Sequence, residues 1–348
     1  MRRGPRAQVT FVHAPIPKSV HSLMVHVNMA IQPKRDWARQ VIERQFTRAF
    51  QDGDLAHVWR GCSLELMRML KARGHVIFLE RVNAMDHMAT RIIDDALARA
   101  GWPVEYRHDR QLVLDQQQAQ AEAADYIFCA NPMVRESLLE RGIPDERILN
   151  CSYGWDPERF NLTERALPEI AGVTVLFVGS IEIRKGAHLL LNAWSKAGIN
   201  GRLVLLGQLE PLIAKYCADF LSRDDVIHLP YDPKPGPVYR SADIFAFPTL
   251  EEGGPLVSYE AMGNGLPVVT SSVGAGDIIR HRKEGLVVDP HDEAQLIEAL
   301  RQLAIDAEMR RALGEAGRIR AAEFTWDKVA QRRYDLIKGA LARPACQR

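Results

Sequence analysis

The chain has 348 residues, enough for two domains at about 150 residues each. Hydrophobic residues make up 47% and charged residues 26% of it, a balance that excludes global disorder. The formal net charge of +1 argues against a dedicated nucleic-acid binder.

Cysteine usage and hydropathy give a first expectation about the compartment. The five cysteines are scattered without a Cys-x-x-Cys pair, which predicts neither a disulfide framework nor a zinc ribbon. No uninterrupted apolar stretch reaches about 18 residues, so we expect no transmembrane helix. The basic residues 1–7 are not followed by a long apolar segment with a small-residue cleavage site, which argues against a signal peptide. We therefore expect a cytoplasmic protein.

Short β-branched runs alternate with helical patterns along the chain, which predicts parallel sheets covered by helices on both faces. In the first half we predict strands and helices, in chain order, at 8–13, 55–59, 63–73 (helix), 76–80, 87–100 (helix), 126–130, 133–141 (helix) and 148–153. In the second half we predict them at 173–178, 187–196 (helix), 202–206, 211–221 (helix), 226–228, 244–248, 267–270 and 286–288.

The alternation pauses between Asp156 and Gly172, where two prolines fall without strong periodicity, and this pause is typical of a linker. We therefore predict two Rossmann-like α/β domains that face each other across a cleft, residues 1–160 and residues 172–325, followed by a helix at 326–341. Ligands bind beyond the carboxyl ends of parallel strands, so the cleft is the expected ligand site.

The most informative segment follows the strand predicted at 244–248. A polar loop with Glu252 and two glycines comes first, and Pro255 then suits the first position of a helix. Seven residues separate Glu252 from Glu260, so both carboxylates can face the cleft at different depths. A carboxylate accepts two hydroxyl groups at once, as binding vicinal sugar or ribose hydroxyls requires, and glycines let backbone amides approach a ligand. The alternative interpretation is an exposed helix face.

This pair of glutamates resembles the signature of the retaining nucleotide-sugar glycosyltransferases of family 4, which have the two-domain GT-B fold. The resemblance covers about residues 54–340 and is strongest from Gly172 onward. The other segments that share the family's pattern are 124–130, 153–160, 178–186, 242–248, 272–279, 284–290 and 324–326. In the family, the last helix crosses back to the first domain.

The resemblance implies a metal-independent hexosyltransferase without a cofactor. Its donor is a nucleoside-diphosphate sugar, and its acceptor is a sugar, a lipid-linked sugar or another hydroxyl compound, in polysaccharide or glycolipid synthesis. It implies that Glu252 contacts hydroxyls of the donor sugar, that Glu260 binds the ribose and that Lys185 neutralises the pyrophosphate. Gly253 and Gly254 bring N–H groups near the sugar and the β-phosphate.

The resemblance implies several further contacts with the donor. Ser180 stands where the family often has an arginine, and Arg184 can replace that charge. Leu256 and Val257 complete the implied donor contacts. His87, after the strand at 76–80, is implied to lie near the C6 hydroxyl of the sugar and the leaving phosphate, and the alternative is a histidine at a helix start with no such role.

Two departures from the family keep other functions open. Gly254 and Pro255 stand where an aromatic residue and a glycine are common, and residues 1–50 contain only Gly4, so the usual glycine-rich loop after the first strand is not recognisable. The alternatives are a non-catalytic donor-binding or scaffold protein of the same fold, and a nucleotide-sugar epimerase or sugar phosphorylase.

The start of the chain differs in charge from the rest. Residues 1–50 hold nine basic and two acidic side chains, a net charge of +7, and residues 36–50 have helical spacing with Asp36 as a suitable N-cap. The simpler interpretation is a surface helix packed on the first domain, and the alternative is a patch that docks on anionic lipid or a phosphate-bearing acceptor. Asp52 and Asp54 precede the strand at 55–59, so we interpret them as a turn and expect no metal.

Overall fold

The computed structural model describes residues 43–45, 47–48, 50–51, 53–59, 61–104, 110–160 and 164–343. The chain divides into two compact units, residues 1–80 with 118–126, and residues 81–117 with 127–348. The strand expected at 8–13 and the N-cap Asp36 lie outside the described residues. The domain limits at 160 and 172, and the cleft between the domains, stay predictions.

In the first unit, strand β1 (Leu55–Trp59) pairs in parallel with β2 (Val76–Arg81), in the register Leu55 to Val76. Helix α1 (Leu64–Ala72) connects them. It begins where the hydroxyl of Ser63 accepts the N–H of Leu66, which satisfies one of the amides that a helix start leaves unpaired. Its buried side chains are Leu66, Met67 and Leu70.

Three helices and two strands of the chain's first half follow. Helix α2 spans Asp86–Arg99, α3 spans Arg110–Ala123, and α4 spans Pro132–Leu139. Strand β3 (Tyr126–Cys129) pairs in parallel with β4 (Ile148–Asn150) through Ile127 and Ile148. β4 is three residues shorter than the predicted strand, and α3 is a helix that the pattern did not predict.

The second unit also holds a six-stranded parallel sheet in the order β10-β9-β8-β5-β6-β7. Its strands are β5 (Val173–Val178), β6 (Gly201–Leu206), β7 (Val226–Leu229), β8 (Ile244–Phe247), β9 (Val268–Thr270) and β10 (Gly285–Val287). From β5 the strands follow chain order to β7 at one edge of the sheet, and from β8 they follow it to β10 at the other edge. The carboxyl ends of β5 and β8 are therefore a topological switch point, where open α/β sheets bind ligands.

Helices cover this sheet, and their bounds are α5 (Ala187–Ala197), α6 (Pro211–Tyr216), α7 (Ala218–Leu221), α8 (Gly236–Arg240), α9 (Leu256–Gly263), α10 (Ser272–Ala275), α11 (Glu293–Ile305), α12 (Ala307–Ala321) and α13 (Trp326–Leu341). The helix predicted at 211–221 is two helices, because the backbone at Cys217 leaves the helical region. Leu176, Phe177 and Phe245 in the sheet are fully buried, and each such side chain contributes about 1.5–3 kcal/mol of burial free energy.

The parallel strands and intervening helices confirm the predicted α/β fold class. The pattern located the strands well because each is a short apolar run buried on both faces; β5, for example, has six buried residues and the bounds predicted for it. Within the part of the chain that the structure describes, no helix combines the length and apolar character that spanning a bilayer requires.

Candidate functional site

The loop that follows β5 packs against the end of β8. A 3₁₀ turn at Ile183–Lys185 ends at Gly186, whose φ of +70° is left-handed. A Cβ atom on Gly186 would lie 2.0 Å from the carbonyl oxygen of Pro248, so only glycine permits this approach. The N–H of Leu250 then donates to the carbonyl of Arg184 at 2.9 Å. The contact brings Arg184 and Lys185 beside the loop that carries the glutamates.

Lys185 and Glu252, predicted from separate segments, form an ion pair between the lysine ammonium and the carboxylate Oε2. Their side chains are only 11% and 10% exposed. The other oxygen of Glu252 accepts the N–H of Gly253 at 3.1 Å, and the ammonium also lies 5.6 Å from the centre of the Phe247 ring. Partners this close in a largely buried environment interact more strongly than a surface pair, so each orients the other.

Arg184 is held by two carboxylates. Its Nη1 donates to Glu251 at 3.0 Å and its Nη2 donates to Glu182 at 2.6 Å. Burial alone would lower the pKa of the Arg184 guanidinium, but the charges of Glu182 and Glu251 raise it above its usual value. The positive charge of Arg184 is therefore balanced by two carboxylates of the protein. Lys185, in contrast, has a single carboxylate partner among the described residues.

Glu251 is a residue to which the sequence pattern assigned no role. It is 1% exposed and accepts three donors: Arg184, the N–H of Ala84 at 3.0 Å and the side-chain amide of Asn83 at 3.3 Å. It therefore ties the segment after β2 to the loop after β8. Both Glu251 and Glu252 are buried, and two adjacent glutamates in the sequence gave no signal for which partners each of them binds.

The two glycines of the loop have a packing explanation. A Cβ on Gly253 would lie 1.3 Å from the carbonyl oxygen of Val82, and a Cβ on Gly254 would lie 2.2 Å from the ring of Tyr153. Both positions therefore exclude larger residues on steric grounds alone. Their predicted N–H contacts to a donor remain a separate prediction.

Helix α9 carries the second glutamate. In its first turn Leu256 is exposed and Val257 is half-buried, and the hydroxyl of Ser258 donates to the carbonyl of Gly274 at 2.9 Å. The half-buried carboxylate of Glu260 accepts the hydroxyl of Tyr239 at 3.0 Å. Burial raises the pKa of Glu260, and the hydrogen bond from Tyr239 opposes that rise.

The side chains of Ser180 and His87 make none of the site contacts described above. Ser180, directly after Gly179, is exposed. His87, the second residue of α2, has its Nε2 2.8 Å from the carboxylate of Glu140, to which Arg91 also donates. The hydrogen bonds from Arg91 and His87 lower the pKa of Glu140. The predicted role of His87 near a leaving phosphate stays a prediction.

Asp54, the second aspartate of the acidic pair before β1, lies in a local turn. Asp54 accepts the N–H of Gln51 at 2.8 Å around Gly53, whose φ is +87°, while Asp52 lies outside the described residues. Over the described ranges no three His, Cys, Asp or Glu side chains are grouped as metal ligands.

Comparisons with known sequences match this chain to glycosyltransferases. A family model described as "Glycosyl transferases group 1" matches residues 169–320. The D-inositol 3-phosphate glycosyltransferase of Saccharomonospora viridis is 30% identical over 280 residues, covering 74% of this chain and 64% of that protein. The capsular polysaccharide biosynthesis glycosyltransferase CapM of Staphylococcus aureus is 28% identical over 196 residues, covering 51% of this chain and 52% of that protein. The chain thus spans less than two thirds of the length of these relatives.

Solved structures share the fold over most of the chain. Sucrose-phosphate synthase of Thermosynechococcus elongatus matches with a TM-score of 0.69 at 22% identity, covering 89% of this chain and 80% of that one. HepE of Anabaena, in complex with UDP and glucose, matches with a TM-score of 0.64 at 13% identity, covering 86% of this chain and 81% of that one. At these identities the likeness concerns the fold, and it confirms the predicted architecture of two parallel-sheet α/β domains.

Proposed function

We propose that this chain moves a sugar from a nucleoside-diphosphate sugar to a hydroxyl acceptor, with retention of configuration, because the model of the group 1 glycosyl transferases matches its residues 169–320. The observation that carries the proposal is the pairing of Lys185 with Glu252 at the switch point of the sheet, with Glu260 on the helix that follows. The family resemblance inferred from the sequence is confirmed, while the roles of individual residues are proposals.

Each of three residues binds a different part of the donor. Glu260 binds the ribose hydroxyls, Lys185 binds the diphosphate, and Glu252 binds hydroxyls of the donor sugar. A phosphate that takes the ammonium of Lys185 replaces Glu252 as its partner, which releases the carboxylate for the sugar. The other proposed donor contacts are Arg184, Ser180, Gly253, Gly254, Leu256 and Val257.

The chemical step follows from the leaving group. The diphosphate gains negative charge as its bond to the anomeric carbon breaks, and the ammonium of Lys185 stabilises that charge. No side chain stands out as a covalent nucleophile, so we propose front-face displacement. The acceptor oxygen bonds to the anomeric carbon while its proton passes to the leaving phosphate oxygen. His87 is the proposed further contact of the leaving phosphate.

The named relatives favour transfer over the other functions that the sequence left open. The relatives above are a D-inositol 3-phosphate glycosyltransferase and a transferase of capsular polysaccharide synthesis, and the structure of HepE contains UDP and glucose. These names support a sugar-nucleotide donor and a glycan or glycolipid product. They do not favour an epimerase, a phosphorylase or a non-catalytic scaffold.

A two-stage experiment tests the proposal. UDP, GDP and ADP are first compared by thermal shift, since a ligand that binds only the native state raises the apparent stability. Release of the nucleoside diphosphate from sugar donors carrying the best base is then measured for the wild type, Glu252→Gln and Glu298→Gln. Glu298 is an exposed carboxylate on α11 and serves as the matched control.

We expect Glu252→Gln to lose about a hundredfold or more in turnover, the scale of removing one group that stabilises the transition state, with nucleotide affinity nearly unchanged. Glu298→Gln should match the wild type. Full turnover by Glu252→Gln, or no shift with any of the three nucleotides, would contradict the proposal.

We also propose a peripheral contact of residues 1–50 with the anionic cytoplasmic face of a membrane. Their net charge of +7 supports it, and so do the exposed side chains of Arg44 and Arg48; most of the segment lies outside the described residues. Each basic residue near an anionic surface contributes about 1 kcal/mol, and the attraction decays within a Debye length.

Co-sedimentation with liposomes tests this contact. We expect the protein to sediment with anionic but not with neutral liposomes. Binding should be lost in added salt and in a variant with Arg35, Arg39, Arg44 and Arg48 changed to Gln. Equal binding to both kinds of liposome would refute it.

A further inference from the structure

A buried tyrosine side chain forms a hydrogen bond with the carboxylate of Glu260. The hydroxyl of Tyr239, in helix α8, donates to Oε2 of Glu260 at 3.0 Å. Tyr239 is completely buried, so water does not compete for its hydroxyl. Its ring packs edge to face on Phe160 at 5.6 Å and lies 6.0 Å from the ring of Phe245. Packing on these two rings fixes the direction from which the hydroxyl reaches Glu260.

A positive charge acts on Glu260 from a third element. Arg159 belongs to the 3₁₀ turn Pro157–Phe160, where its guanidinium lies 5.9 Å from the centre of the Phe160 ring and donates to the carbonyl of Pro233 at 3.3 Å. Burial raises the pKa of Glu260, whereas the hydrogen bond from Tyr239 and the charge of Arg159 lower it. Among the described residues, these two groups are the titratable and charged neighbours that act on Glu260.

We propose that Tyr239 is a positioning residue for the donor nucleotide, whose hydroxyl orients the carboxylate of Glu260 for the ribose hydroxyls. The proposal rests on the proposed function, since it takes Glu260 as the ribose ligand. An ionised carboxylate has about four acceptor positions, and Tyr239 uses one of them on Oε2. The rest of the carboxylate stays available for two vicinal hydroxyls, with its rotation about the last side-chain bond restrained.

The variant Tyr239→Phe isolates this effect because it keeps the buried ring and removes only the donor. Loss of a hydrogen bond to the charged form disfavours ionisation, so the pKa of Glu260 rises in the variant. Protonation then abolishes nucleotide binding at a higher pH than in the wild type. At neutral pH we expect affinity for the nucleoside diphosphate to fall about tenfold, as is usual for a lost hydrogen bond to a charged group.

Calorimetric titration with UDP, GDP and ADP, from acidic to neutral pH, tests the proposal on four proteins: wild type, Tyr239→Phe, Glu260→Gln and the double variant. Tyr334→Phe, which changes an exposed tyrosine of α13, is the matched control and should behave as the wild type. We expect the acidic limb of binding to move to higher pH in Tyr239→Phe and to disappear in Glu260→Gln. In the Glu260→Gln background the second change should add almost nothing, because the ionised carboxylate that Tyr239 is proposed to orient is already absent.

The outcomes distinguish the positioning role of Tyr239 from the assignment of Glu260 as the ribose ligand. An unshifted acidic limb in Tyr239→Phe, or a full additional loss of affinity in the double variant, means that Tyr239 acts only through packing and overturns the proposal. Unchanged nucleotide affinity in Glu260→Gln overturns the assignment of Glu260 itself, and the proposal falls with it. A weakened Glu260→Gln with a wild-type Tyr239→Phe refutes the positioning role alone.

Discussion

Replacing Glu251 by alanine removes the acceptor on which three donors converge. Arg184 keeps its hydrogen bond to Glu182, so its charge is not left without a partner. The buried N–H of Ala84 loses its acceptor, and the charge-assisted bond from Arg184 is lost as well. An unsatisfied buried donor costs about 1–3 kcal/mol and a bond to a charged group contributes about 1.5–3 kcal/mol, so we expect Glu251→Ala to destabilise the protein by about 3 kcal/mol.

Urea unfolding followed by circular dichroism measures this loss as a shift of the midpoint at unchanged slope. Glu315→Ala is the control, since Glu315 pairs with Arg318 at the surface, where such a pair contributes about 0–1 kcal/mol. Glu251→Gln keeps the shape and one acceptor oxygen and should fall between the two. A loss below about 1 kcal/mol in Glu251→Ala, the size of an ordinary substitution, would refute the view that Glu251 holds the segment after β2 to the loop after β8.

Three further outcomes are expected. Glu260→Ala should weaken nucleoside-diphosphate binding by about 1–3 kcal/mol in calorimetry, and unchanged affinity would remove Glu260 from the nucleotide site. Transfer activity should survive EDTA; activity that is lost on chelation and restored by manganese would return Asp52 and Asp54 to consideration as metal ligands. Gly186→Ala should lower the thermal midpoint far more than Gly198→Ala, because both glycines have a positive φ but only a Cβ at Gly186 strikes a carbonyl oxygen, and equal effects would contradict that steric argument.

The sheet could be predicted from the sequence because its strands are apolar runs between polar loops. Helix α3 was missed because its glutamine-rich sequence has no apolar period, and the break at Cys217 left no mark in a segment with continuous helical spacing. The spacing of Glu252 and Glu260 could be recognised because both residues lie on one short stretch of chain.

The partners of the site residues could not be predicted in the same way. Glu251 meets Arg184 across 67 positions, and His87 meets Glu140 across 53, so tertiary packing alone decides these pairs. Tyr239 and Glu260 are 21 positions apart on two different helices, and no periodicity relates them. The sequence therefore located the candidate residues for the donor but not the second set of residues that orients them.

The loops around the site touch through their main chains. The Cα of Gly186 lies against the carbonyl of Pro248, that of Gly253 against the carbonyl of Val82, and the N–H of Leu250 bonds to the carbonyl of Arg184. A frame made of backbone atoms keeps its shape when exposed side chains mounted on it change. Ser180 and Leu256 are both exposed on this frame, so exchanges there should cost little folding free energy, and under the proposed donor contacts they are positions where an exchange would act on the donor.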